Sequence, residues 1–148
     1  MSVEPFFRKA LLGILVLVLV GTEIELILLK HYEDVWQLVP MVLLPVSLVV
    51  LTWHGLSAGS AALKALRVVM VLLALSGGVG VIQHYRTNLL DASESNPSLA
   101  GTELYLEALE GSIPALAPGT MLQIGLLGLL FTYRHPRLGG HTSRSTTV

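Results

Sequence analysis

Apolar residues fall in four long runs, at about 10–29, 36–53, 65–83 and 113–133, set apart by short polar stretches. Each run is close to the 17–25 residues that a helix rising 1.5 Å per residue needs to cross a hydrocarbon core of roughly 30 Å. The pattern predicts an all-α membrane protein, a four-helix transmembrane bundle forming one domain over residues 1–137. The second run contains Pro40 and Pro45 and the fourth Pro114 and Pro118. Membrane helices tolerate proline where neighbours re-satisfy the freed carbonyl, so both runs are expected to be bent spans. The first two connections are short, which favours antiparallel neighbours in an up-down bundle. The third, over 86–112, opens on the polar stretch Asp91-Ala92-Ser93-Glu94-Ser95-Asn96-Pro97. It continues with Glu103, Glu107 and Glu110 at i, i+4 and i+7, while Leu104, Ala108 and Leu109 point elsewhere, the pattern of a short amphipathic helix in the outer loop. Residues 138–148, with Gly139-Gly140 and a run of Ser and Thr, are expected to form a disordered cytoplasmic tail.

Composition narrows the class further. With 53% hydrophobic and 13% charged residues and a mean hydropathy of +0.71, the chain carries about half the charge of an ordinary soluble domain. Its lack of cysteine excludes disulfides, thiolate metal sites, thiol catalysis and cysteine lipidation. A net charge of −1, with no basic face, gives no footing for a nucleic-acid partner. Arg8-Lys9 ahead of the apolar stretch 11–20 resembles a secretory signal, but Gly21-Thr22-Glu23 offers no small-x-small cleavage site, and an uncleaved first helix is expected. Neither His-Glu-x-x-His nor Gly-x-Ser-x-Gly is present, and the protein is not expected to be an enzyme.

Placing both termini in the cytoplasm puts Arg8, Lys9, Lys64, Arg67, Arg134, Arg137 and Arg144 inside and leaves Lys30 and Arg86 outside, as the positive-inside rule requires. Glu33, Asp34, Asp91, Glu94, Glu103, Glu107 and Glu110 then lie outside. Tyr32, Trp36, Trp53, Tyr85 and Tyr133 fall near the span ends, where an interfacial belt belongs. The expected location is the cell membrane, multi-pass, in a bacterial inner membrane. Lys9-Ala10-Leu11 and His31-Tyr32 bracket the first span much as Lys64-Ala65-Leu66 and His84-Tyr85 bracket the third, the signature of a parallel duplicated hairpin.

Two carboxylates stand out. Glu23 and Glu25 fall inside the first span, Glu23 about 9 Å below its outer edge, where an acid costs about 2.5–3.5 kcal/mol unless it gains a partner, a proton or a hydrated cavity. They lie about 200° apart around the helix and cannot face the same way. Lys30 shares a face with Glu23 and is the expected counter-charge. Glu25 needs help from another helix, with Thr120 and Gln123 of the fourth span or Gln83 and His84 of the third as candidates. The alternative is that both acids simply reach the outer interface.

The histidines pair as His31 with His84 outside and His54 with His135 inside. They are read first as interfacial anchors, and otherwise as axial ligands of two haems or, with Glu33 and Asp34, as a divalent-metal site on His31 and His84. Ser76, Gly77 and Gly80 in the third span, with Gly125 and Gly128 in the fourth, are candidates for close helix packing. No cofactor is expected.

Two function classes follow. The first is a non-catalytic accessory or structural subunit of a larger membrane assembly, with the lipid bilayer and a membrane-protein partner or a second copy as its contacts. The other is a small proton- or cation-coupled transporter or channel component using Glu23 or Glu25. A carboxylate facing a cavity favours transport, and one paired with Lys30 beside a smooth apolar face favours docking.

Overall fold

A computed structural model describes residues 3–57 and 59–138, with side chains from Pro5 onward. The expected tail falls outside the described residues from 139 on. The described chain is all-helical: α1 (Val3–Leu28), α2 (Val35–Leu56), α3 (Ala61–Ser95), α4 (Gly101–Glu110), α5 (Gly119–Thr132) and a 3-10 turn at Pro136–Leu138. Helices α1, α2 and α3 are long and apolar enough to cross a membrane.

Local chemistry sets the helix ends. At the end of α1, Lys30 takes a left-handed backbone with φ of 53°. Its N–H bonds the Ile27 carbonyl at 3.0 Å, and the His31 N–H bonds the Leu26 carbonyl at 2.9 Å. These are the paired bonds of a Schellman stop, with lysine where glycine is usual. Helix α2 starts with a capping box. The Asp34 carboxylate accepts from Trp36 N at 2.8 Å, and Gln37 Oε1 accepts from the backbone of Glu33 and Asp34. Pro40 and Pro45 stay inside α2 and deprive the carbonyls of Trp36 and Met41 of their helical partners.

Two spans differ from the sequence expectation. The third apolar run does not stop at residue 83: α3 continues to Ser95, 35 residues and about 52 Å long. That exceeds a 30 Å hydrocarbon core by about 20 Å. No glycine or proline interrupts 81–95, and the helix breaks only at Asn96, which Pro97 pushes out of the helical region to φ −139°, ψ 85°. The first part of the presumed 86–112 loop is therefore helix. The fourth run, expected as a span over 113–133, is helical only in the 14 residues of α5, about 21 Å. Pro114 and Pro118 keep 114–118 in successive turns, with Ala117 N bonding Pro114 O at 3.2 Å and Gly119 N bonding Leu116 O at 2.9 Å.

Helix α3 is the hub, packing against α2, α4 and α5, while α1 closes the ring between α2 and α5. Leu15, Leu19, Leu44, Leu66, Met70 and Leu73 form the fully buried centre. The α3–α5 seam is the tightest contact. A Cβ on Gly77 would lie 2.5 Å from Leu122 N and 2.8 Å from Pro118 O, and one on Gly80 would lie 2.6 Å from Pro118 Cβ. From the other side, a Cβ on Gly125 would come within 2.5 Å of the Met70 carbonyl, and one on Gly128 would collide with the Met70 sulfur. Such close backbone approach supplies the dispersion contact that holds helices together in lipid. Ser76 is half-buried and bonds back to the Leu73 carbonyl, and Gly119 meets nothing within 4 Å.

The bundle has an acidic end, where His31 meets His84, and a basic end, where His54 meets His135. At the basic end Arg8 donates to the carbonyls of Phe131, Tyr133 and Arg134. Arg67 donates to the Thr132 hydroxyl at 3.2 Å and its carbonyl at 2.9 Å. Arg137 donates to the carbonyls of His54 and Ser57 at 3.1 and 2.8 Å. Each arginine thus serves carbonyls at a helix C-terminus, where the helix itself supplies no donor and the dipole favours cations.

Candidate functional site: a groove between α1 and α5

Between α1 and α5 lies an open groove of about 610 Å³. Leu17, Val18, Gly21, Thr22 and Glu25 line it from α1, and Thr120, Gln123, Ile124 and Leu127 from α5. The spacings of four and seven along each helix put these residues on single stripes. The two helices run in opposite directions, since Arg8 near the start of α1 reaches the carbonyls past the end of α5. Glu25 and Thr22 therefore meet Thr120 and Gln123 at the acidic end, while Leu17 and Val18 meet Leu127 deeper in the bundle. The groove is polar at one end and apolar at the other.

Glu25, Thr120 and Gln123, three of the residues singled out from the sequence, share this wall, and all three are exposed. Glu23 faces away from the groove. It is half-buried, and its Oε2 is shielded from solvent without any hydrogen-bond partner. Lys30, expected as its counter-charge, does not engage it: the side chain is exposed and its backbone is occupied in stopping α1. The intervening Schellman turn redirects the chain, so continuing an ideal helix from residue 23 to residue 30 misplaces the ammonium.

The histidines meet in pairs without forming a metal centre. His31 and His84 stand ring edge to ring face at 6.3 Å, and His84 Nδ1 lies 3.1 Å from the Pro114 carbonyl. Burial, and secondarily the neighbouring His84, hold the His31 imidazole below its ordinary value of 6.5. The Asp34 carboxylate proposed to join them is occupied in capping α2. Among the described residues no three His, Asp or Glu side chains are grouped to hold a metal ion. At the basic end the His54 and His135 rings touch at 5.2 Å with Phe131 against both, and Arg137 N donates to His135 Nδ1 at 3.2 Å. The two rings thus pack edge to face against one another and against Phe131.

Sequence reasoning missed Asn88. It is 2% exposed, donates to the carbonyls of Ala108 at 3.0 Å and Ile113 at 2.7 Å, and accepts from Ile113 N at 3.2 Å. It pins α4 and the turn after it to α3. The available signal was an amide one helical turn beyond His84, on the same face of a helix that had not been expected to continue so far.

In comparisons with known proteins, no family model, no curated protein and no solved structure matches this chain.

Proposed function

We propose that the chain is a small polytopic membrane protein that binds a cationic group at Glu25 in the α1–α5 groove, as a component of proton- or cation-coupled transport. One observation carries the reading: Glu25 stands on the groove wall with Thr22, Thr120 and Gln123, not against Lys30. A carboxylate at the edge of a low-dielectric wall is relieved by a proton or by a cation, and exchange of one for the other is the elementary step of coupling. In this reading α5 and the turns before it complete a fourth crossing. The acidic end faces outward, both termini are cytoplasmic, and the chain sits in a bacterial inner membrane. No catalysis is assigned to it.

The test uses protein reconstituted in vesicles. A tetraalkylammonium ion should bind saturably, and Glu25→Gln should abolish the binding. Unchanged binding in that variant removes the reading.

A second reading, a non-catalytic accessory or structural subunit, is supported by α4. Tyr105, Leu106 and Leu109 are 57%, 53% and 49% exposed beside Glu103, Glu107 and Glu110. This is an apolar strip bordered by acids, suited to a basic amphipathic segment of a membrane-protein partner or to a second copy through other faces. Replacing Tyr105, Leu106 and Leu109 with serine should release such a partner from the protein purified in mild detergent.

A further inference from the structure

We infer that the groove accepts a cationic amphiphile, its head at Glu25, Thr120 and Gln123 and its hydrocarbon tail along Leu17, Val18 and Leu127. The inference rests on the proposed role of Glu25 and adds the chemical class of the ligand. At 1.5 Å per residue Leu17 lies about 12 Å along α1 from Glu25, and Leu127 about 10 Å along α5 from Thr120. Because the helices are antiparallel, both walls change from polar to apolar in the same direction. A bare inorganic cation is poorly served there, since hard cations take six or more oxygens and the groove presents one carboxylate with a few neutral oxygens. An anion meets Glu25 at the mouth. A second copy docked about a twofold axis on this groove would set Glu25 against its own equivalent, a like-charge contact inside lipid.

An amphiphile satisfies both ends at once. Its cation neutralises the carboxylate, and its tail covers apolar wall that would otherwise contact lipid. The volume of about 610 Å³ lies within the range of small-molecule sites. The open side faces outward from the bundle, so a ligand already aligned in a leaflet, head up and tail down, enters sideways without turning over.

The experiment embeds the full chain in lipid nanodiscs with a decyltrimethylammonium probe bearing a photoreactive diazirine at the tail end. Labelled residues are mapped by mass spectrometry. Labelling should concentrate on Leu17, Val18 and Leu127. Unlabelled dodecyltrimethylammonium should compete with it, and dodecyl sulfate should compete at least tenfold less well. Glu25→Gln should reduce the labelling at least tenfold and Glu23→Gln should not.

Gly21→Leu gives an independent check. A Cβ at Gly21 meets nothing within 4 Å and Gly21 lines the groove, so a side chain there has room to enter it and should also block labelling. Even labelling of lipid-facing positions such as Leu28 and Leu75, without competition, overturns the inference. If tetramethylammonium competes as well as the long chain and the effect still depends on Glu25, the cation site stands and the amphiphile falls. If Glu25→Gln changes nothing, both fall.

Discussion

Gly111 lies so close to Asn88 that a Cβ at residue 111 would fall 2.6 Å from the Asn88 Cγ. The amide can reach the Ala108 and Ile113 backbone only because nothing projects from Gly111. Asn88→Ala should therefore strand the part-buried Ile113 N–H and two carbonyls, at about 1–3 kcal/mol for each group that water does not reach. The expected outcome is a lower unfolding temperature in detergent and faster proteolysis within 96–118. Gly111→Ala should reproduce both effects.

Two glycines in helices should behave oppositely on substitution. Gly125→Ala drives a methyl into the Met70 carbonyl and the Ala74 backbone and should cost about 1–3 kcal/mol. Gly13→Ala, whose Cβ meets nothing within 4 Å, should gain about 0.5–1 kcal/mol from helix propensity alone. Thermal unfolding of the two variants in the same detergent checks the sign of each.

Lys30 should be replaceable with profit to stability. Its left-handed backbone strains an L-residue by about 1–2 kcal/mol, which glycine avoids at the cost of some chain entropy. Lys30→Gly should raise stability by about 0.5–1 kcal/mol. It should also leave ammonium binding at Glu25 unaltered, since the lysine side chain takes no part in the groove. A loss of binding would restore Lys30 to the site.

His31 should make the acidic end sensitive to pH. The folded imidazole, held below 6.5 by burial and then by His84, accepts a proton less readily than the same residue in the opened chain. Stability is therefore intact above about pH 6.5 and declines as pH falls from there towards the folded value. Melting curves between pH 7.5 and 5 should show the decline, and His31→Gln should flatten it.

Arg67 should hold the last turn of α5. Arg67→Met removes two donors from Thr132 and should cost about 1–3 kcal/mol. Amide hydrogen exchange should accelerate in the final turn of α5 and leave its first turn unaffected.

The membrane character of the chain was legible in the sequence because twenty-residue apolar runs have few other uses. Helix length was not. Residues 86–95 read as a polar loop because hydropathy reports the solvent a segment prefers, whereas helix continues until something stops it, here Pro97. The fourth run erred the other way, since an apolar segment with Pro114 and Pro118 has the composition of a span without the backbone donors to stay helical.

At the candidate site, the association of Glu25 with Thr120 and Gln123 could be anticipated from depth and periodicity, both of which a straight helix preserves. The link from Glu23 to Lys30 could not survive the turn between them. Asn88 and the three carbonyl-binding arginines stayed hidden because their partners are backbone atoms, which carry no signature in the side-chain pattern.

The glycine seam also determines which part of the molecule tolerates added bulk. With carbonyl, amide and side-chain atoms already at the distance a methyl would need, any methyl added along this seam has to push α3 and α5 apart. Helix α1 has no such interlock, and Gly13 and Gly21 both stand clear of their neighbours. Bulk can therefore be added on the α1 side of the bundle, while the α3–α5 face admits no more than a hydrogen at Gly77, Gly80, Gly125 and Gly128.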